Sequence, residues 1–220
     1  MESHDPVVDL AFALHVATIP ADHGYQLYAA ISRHLPTIHG DEAVGIHPIR
    51  GQLVGQRRLA LTRTSRLVLR LPATRIPEAI RLAGRSLDLD GAHLLVGVPS
   101  TRPLLAGPSL VSRLVVIRGF TEDEAFLDAA RRQLAERRIA GSAALIPRHR
   151  SGPVEGRTGS RSAVVRRTLR IRDRDVVGFA VRVDGLRAED SLHLQAGGLG
   201  GRRRFGCGIF LPVPTPGSLR

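Results

Sequence analysis

At 220 residues with 43% hydrophobic side chains, the chain is long enough to pack one large or two small cores, which excludes disorder as its default state. Its formal charge is +12 and every basic residue is arginine, so no lysine is present to serve as a general acid or base, and the excess points to nucleic acid or another polyanion as partner. The single cysteine, Cys207, excludes an internal disulfide and a multi-cysteine zinc site; an acidic start (Glu2, Asp5) and apolar runs well short of the roughly 18 residues of a span lead to the expectation of a cytoplasmic protein with no membrane partner.

Residues 7–17 alternate Val8, Leu10, Phe12, Leu14 and Val16 on one face and read as a strand. Leu27, Tyr28, Ile31 and Leu35 then fall on one helical stripe, which Pro36 stops. Residues 45–49, 57–62 and 66–71 read as strands, the last two joined as a hairpin across Arg63-Thr64-Ser65. Pro77 opens a short helix that Gly84 ends, and residues 86–98 return as strand around Asp90-Gly91, completing βαββαβ over residues 1–100. Residues 99–108 carry Pro99, Pro103 and Pro108 and read as a linker.

A second round occupies residues 109–220. Residues 113–118 read as a strand, and Thr121-Glu122-Asp123-Glu124 as a capping box opening a helix whose stripe is Phe126, Leu127, Ala130 and Leu134. Arg137-Arg138 ends that helix before Gly141, and residues 143–146 form a strand. Residues 162–172 and 176–183 pair across Asp173-Arg174-Asp175, followed by a helix at 188–195 and a closing strand at 208–213. The fold class is α+β, a tandem of ferredoxin-like (RRM-like) βαββαβ units.

Before the closing strand lies a loop holding Gly198, Gly200, Gly206 and Gly208 around Arg202, Arg203 and Arg204. It is not a dinucleotide fingerprint, because Arg203 stands where G-x-G-x-x-G needs glycine. Nor is it a P-loop, because Cys207-Gly208 stands where Lys-Ser/Thr is needed. The expectation is a phosphate-gripping loop, with backbone N–H groups and guanidinium forks as donors. Arg148, Arg150, Arg157, Arg161, Arg166 and Arg167 extend the basic surface. With six Phe, two Tyr and no Trp, stacking platforms for single strands are scarce, which favours a folded RNA hairpin held by its phosphates and groove. The nine histidines show no HxH or HExxH spacing, so neither a metal nor another cofactor is expected.

The tandem order, the glycine-arginine loop and the segment Ile19-Pro20-Ala21-Asp22-His23-Gly24-Tyr25-Gln26-Leu27-Tyr28 together resemble the CRISPR repeat-processing endoribonucleases, most closely the MYXAN subtype of type I systems. The resemblance implies metal-free cutting of the repeat hairpin of precursor CRISPR RNA. In that chemistry the ribose 2′-OH attacks the adjacent phosphorus and leaves a 2′,3′-cyclic phosphate and a 5′-hydroxyl. It also implies that the product guide RNA stays bound and that other subunits of a type I interference complex are partners. It puts the general base or acid at His39, just past the first helix, with Tyr28, Ser32 or Arg33, and His23 as further candidates. Read from the residues alone, Tyr28 belongs to the core, His23 caps or orients the helix start, His34 lies on the exposed side and His47 is a strand residue. The family's auxiliary lysine has no counterpart, so an arginine must supply the positive charge. The competing functions are a non-catalytic subunit that caps the guide hairpin and a basic ribonucleoprotein scaffold.

Overall fold

Alternating apolar residues carry β1 (Val7–Leu14) into the centre of a five-stranded sheet, where Leu10 and Phe12 are fully buried. The computed structural model that contains it describes residues 5–15, 17–148 and 164–214. The chain divides into two compact units. The first takes in the chain to Leu104 with Leu169–Arg174 and Arg202–Gly206, and the second comprises Leu105–Thr168, Asp175–Gly201 and the chain from Cys207 onward.

In the first unit β2 (Thr18–Pro20) precedes α1 (Gly24–His34), and β3 (Gly45–Ile46), β4 (Gln52–Leu53), β5 (Arg58–Ala60) and β6 (Arg66–Pro72) follow. The short α2 (Ile76–Ala79) leads to the hairpin of β7 (Ser86–Leu89) and β8 (Ala92–Pro103). The sheet order is β3-β6-β1-β8-β7, so four of its strands have the antiparallel ferredoxin-like arrangement and β7 is an addition at the edge. Leu10 opposes Leu69 and Phe12 opposes Leu67, which aligns the buried faces of β1 and β6.

The second unit contains β9 (Ser109–Val115), α3 (Asp123–Glu136), β10 (Ser142–Leu145), the start of β11 (Arg166–Ile171, whose residues 169–171 fall in the first unit), β12 (Arg174–Asp184, from Asp175 on), α4 (Ala188–Gly197) and β13 (Leu211–Pro212). Its order β10-β12-β9-β13 repeats the same arrangement, with β11 as an extra partner of β12. Phe126 of α3 and Phe179 of β12 meet in its core, with ring centroids 4.7 Å apart. The α+β tandem ferredoxin-like class is therefore the one observed.

Four local expectations are corrected. The strands at 57–62 and 66–71 do not form a hairpin: β5 joins β2 and β4 in a separate three-stranded sheet, whereas β6 joins β1. Ser65 redirects the chain there, its Oγ accepting from the Thr62 N–H at 2.9 Å and donating to the Arg50 carbonyl at 2.6 Å. Much of the supposed linker is strand, since β8 continues to Pro103 and pairs with β1 up to Val8. β7 reaches only Leu95, so Pro99 and Pro103 lie on an open edge where the missing N–H breaks no ladder. Glu122, not Thr121, is the N-cap of α3 and makes no side-chain capping bond, so the capping box does not form. The first strand of the second unit begins at Ser109 rather than near 113, held by pairing with Asp184.

One charged cluster lies inside the first sheet. Asp9 and Arg70 stand directly opposite on β1 and β6, and the guanidinium grips the carboxylate with two bonds, Nε at 2.7 Å and Nη2 at 2.9 Å. Arg70 is 1% exposed, and His47 Nε2 lies 3.3 Å from the same Asp9 Oδ1. Burial alone would raise the Asp9 carboxyl, but the bonds from Arg70 and His47 outweigh it and hold Asp9 well below the ordinary carboxylate range. Burial pushes His47 below its ordinary 6.5, against the opposing pull of Asp9.

Because the unfolded chain then takes up a proton at His47 more readily than the folded one, stability is undiminished above pH 6.5 and falls as the pH drops below it. Asp9 adds a second loss when the unfolded carboxyl protonates, below its ordinary 3.8. Urea unfolding midpoints should therefore be level above pH 6.5 and decline as the pH falls below it, and His47→Gln should flatten that decline. An unchanged slope in the variant would remove His47 as its cause.

Candidate active site

The apolar stripe of α1 places Tyr28 at 7% exposure, so the core assignment describes the ring. Its hydroxyl does something else. Pro36 ends the helix and opens a single 3-10 turn, Pro36–Ile38, after which the His39 N–H donates to the Pro36 carbonyl at 3.0 Å. This brings His39 Nδ1 to 2.9 Å from the Tyr28 hydroxyl, with the rings 5.9 Å apart and inclined by 30°. His39 itself is exposed. Asp41 secures the loop beyond it, accepting from the Ala43 N–H at 2.9 Å and from Arg75 Nη1 at 2.6 Å. Arg75 also bonds Glu78 of α2 at 3.1 Å, so the histidine loop is tied to the second helix.

The arginine segment contributes to the same unit. Phe205 meets the Tyr28 ring edge-on at 5.0 Å and 87°, and the Arg204 guanidinium lies over both rings, 5.5 Å from Tyr28 and 5.2 Å from Phe205. Arg203 Nη1 donates to the Glu42 carbonyl at 3.4 Å. Of the three arginines, Arg202 is exposed and the other two are half-buried. An imidazole and a guanidinium thus both bear on Tyr28, the first through its hydroxyl and the second over its ring.

The other candidates are placed differently. His23 is 3% exposed; its Nδ1 lies 2.9 Å from the Pro20 carbonyl and its Nε2 accepts the Ile49 N–H at 3.0 Å. Both ring nitrogens are engaged by backbone, so His23 holds the start of α1 in its neutral form. Ser32 sits one turn beyond Tyr28 with its Oγ enclosed and without a hydrogen-bond partner among the described residues. Arg33 is exposed and donates to the Asp88 carbonyl at 3.2 Å. His34 is half-buried, and His47 belongs to the Asp9 cluster.

In the glycine loop, Gly198, Gly200, Gly206 and Gly208 all have positive φ, between 65° and 85°. The backbone amides expected to hold phosphate are nevertheless occupied. Gly200 N–H donates to Gln133 Oε1, Gly201 to the Val116 carbonyl and Gly208 to the Leu114 carbonyl, at 2.7–2.9 Å. A Cβ on Gly200 or Gly208 would stand 2.2 Å from a carbonyl oxygen, so these two glycines let protein backbone, not a ligand, come close. The donors of this loop left toward solvent are those of its arginine side chains, Arg202 foremost. Arg148, Arg166 and Arg167 are exposed, Arg166 with its guanidinium 5.9 Å from the Phe179 ring centroid. Arg150, Arg157 and Arg161 lie outside the described residues. Among the described residues no group of three or more His, Cys, Asp or Glu side chains could hold a metal ion, and no helix is long and apolar enough to cross a membrane.

The structure brings together Tyr28 and His39, both named from the sequence, but the Arg204 contact with Tyr28 and the Asp41–Arg75 tie had no sequence signal. Partners separated by 176 and 34 residues leave no local pattern to read.

The architecture defines a class. A RAMP protein that binds different RNA substrates superposes with a TM-score of 0.68 at 13% identity, covering 94% of this chain and all of that one. The product of a Cas6-related gene from Pyrococcus furiosus superposes at 0.64 and 14% identity, covering 94% of this chain and 98% of the other. This is the fold of the RAMP and Cas6 proteins. At the level of sequence, the family model described as Cas6 Crispr matches residues 8–215. The CRISPR-associated endonuclease Cas6 of Myxococcus xanthus (strain DK1622) is 36% identical over 205 residues, 93% of this chain and 81% of the relative. The chain belongs to the Cas6 family.

Gly206 closes the arginine segment at φ 85°, and a Cβ there would stand 2.8 Å from Pro48 Cγ. Gly206→Ala should cost about 1–2 kcal/mol from the left-handed backbone alone. That lowers the thermal midpoint by roughly 2–8 °C, measurable by circular dichroism; an unchanged midpoint would show that the segment does not hold this conformation.

Proposed function

We propose that the chain is an endoribonuclease that cuts precursor CRISPR RNA at its repeat, that His39 Nε2 is its proton-transfer atom, and that the reaction needs no metal. Family membership supports the substrate and the reaction class, since the Myxococcus relative is a CRISPR-associated endonuclease. The single observation that carries the residue assignment is the 2.9 Å bond between the Tyr28 hydroxyl and Nδ1 of His39, an exposed residue.

In the proposed reaction the 2′-oxygen bonds to the adjacent phosphorus as the bond to the 5′-oxygen breaks. The 2′-OH proton must leave and the 5′-oxygen must gain one. When His39 donates Nδ1–H to the phenol oxygen, Nε2 is an open acceptor able to take the 2′-OH proton. When Tyr28 O–H donates to Nδ1, Nε2 bears a hydrogen able to pass to the 5′-oxygen. Tyr28 thus orients the imidazole for either role. The Arg204 guanidinium over the Tyr28 ring is the cation assigned to the charge that builds on the phosphorane oxygens, in place of a lysine. Because the nucleophile belongs to the substrate, no metal-bound water has to be generated. Retention of the guide RNA and association with other interference subunits belong to the same proposal and rest on the family alone.

The test is incubation with the neighbouring repeat RNA in EDTA. The wild type should cut and leave a 2′,3′-cyclic phosphate. His39→Ala should lose roughly 10²–10⁴-fold in single-turnover rate while still binding the repeat in a mobility-shift assay. Undiminished cutting by that variant would eliminate His39, and an uncut but bound repeat with the wild type would make the protein a capping subunit. Arg202, the exposed member of the arginine segment, is assigned to phosphate contact. Arg202→Ala should reduce the slope of log affinity against log salt by about 1, and an unaltered slope would take it out of the interface.

A further inference from the structure

A second face of α1 lines a cavity that the catalytic reading does not use. Tyr25, Gln26 and Arg33 turn away from the Leu27 and Ile31 stripe and border a recess of about 700 Å³, within the roughly 300–1,000 Å³ of small-ligand sites. Three carboxylates and four guanidinium groups share its walls: Asp22, Asp88 and Asp90 with Arg33, Arg57, Arg170 and Arg172. Among the described residues no ion pair within 4.0 Å joins any of these acids to any of these bases.

The carboxylates are instead held by neutral donors, each through one oxygen. Asp22 Oδ2 accepts the Arg170 backbone N–H at 3.1 Å, Asp88 Oδ1 the Gly91 N–H at 2.7 Å, and Asp90 Oδ2 the Gln26 amide at 2.9 Å. Each acid is thereby oriented, while among the described residues its other oxygen accepts no hydrogen bond. Asp90 is fixed most closely, between the Gln26 amide and a left-handed backbone at φ 53°. The Tyr25 hydroxyl accepts from Arg172 Nε at 3.1 Å, which anchors one end of a half-buried ring.

We infer that this cavity takes the guanine base of an unpaired RNA nucleotide, with Asp90 reading the base, Tyr25 stacking on it and Arg57 and Arg172 meeting its phosphates. The chemistry selects guanine because its Watson–Crick edge presents two adjacent donors, N1–H and N2–H, to one carboxylate. Adenine and cytosine present one amino group beside a ring acceptor, which a carboxylate repels, and uracil presents one imide N–H between two carbonyls. Arginines and acids that, among the described residues, form no ion pair with one another suit a ligand with a donor edge at one end and an anion at the other. The inference relies on the proposed RNA-processing function only for the source of the nucleotide.

Fluorescein-labelled UUGUU, UUAUU and UUUUU, which contain no hairpin, can be titrated against the full chain by anisotropy, with guanosine 5′-monophosphate as competitor. UUGUU should bind at least about tenfold tighter than UUAUU, the discrimination of one good base contact, and Asp90→Asn should bring the two together. Asp90 is exposed and the change is isosteric, and an unchanged unfolding midpoint certifies the variant's fold. Equal affinities in the wild type, or a preference that survives Asp90→Asn, would overturn the inference. The free mononucleotide binding as tightly as UUGUU would overturn the RNA source. Repeat cleavage is followed in parallel: its absence with the guanosine preference intact would count against the catalytic proposal alone.

Discussion

The Tyr28 ring is the constraint on which the candidate site depends. A tyrosine can bury its ring and still send a hydroxyl to a polar partner, and here it does both. The ring joins the buried stripe of α1, so its position is set by core packing, whereas the hydroxyl reaches His39 at 2.9 Å. Phe205 and Arg204 then bear on the same ring. A loop histidine has little to hold it in place by itself; linked to a core residue, it inherits that residue's order. The tie from Arg75 to Asp41 does the same for the loop beyond the histidine.

An arginine-only composition leaves its mark throughout the first unit. Guanidinium stays charged when buried, and its planar fork satisfies a carboxylate with two bonds or lies flat on a ring. Arg70 does the first, opposite Asp9 at 1% exposure, and Arg204 does the second. Arg75 links two acids. The 32 arginines therefore do not serve only as a solvated surface; several of them hold the molecule together. The arginines that have no acidic partner among the described residues are of another kind. Arg202, Arg166 and Arg167 are exposed, and Arg57 and Arg172 line a recess beside carboxylates that bond elsewhere.

The glycine loop shows how one residue type answers two demands. Positive φ at Gly198, Gly200, Gly206 and Gly208 is what glycine permits without strain, although Gly197 and Gly201 beside them do not adopt it. What stands opposite the missing side chains does not follow from it. At Gly200 and Gly208 it is protein backbone, and the neighbouring amides donate within the protein. A loop that reads as a phosphate cradle is thus an internally bonded turn that presents arginine side chains.

The sequence by itself determined the periodic elements, the two βαββαβ rounds, the arginine-rich loop and the position of a histidine just past a helix that carries Tyr28. All of these rest on patterns confined to a few neighbouring residues, which is the range over which apolar spacing and turn chemistry act. Only the tertiary structure decided that residues 57–62 and 66–71 serve different sheets, and that prolines at 99 and 103 lie on a strand edge instead of in a linker. It likewise decided that His23 is bonded at both nitrogens, that Arg204 covers Tyr28, and that Asp22, Asp88 and Asp90 converge on one recess. Those outcomes join residues as much as 176 positions apart. They depend on strand register and on which face of α1 each neighbour meets, and no local pattern records either.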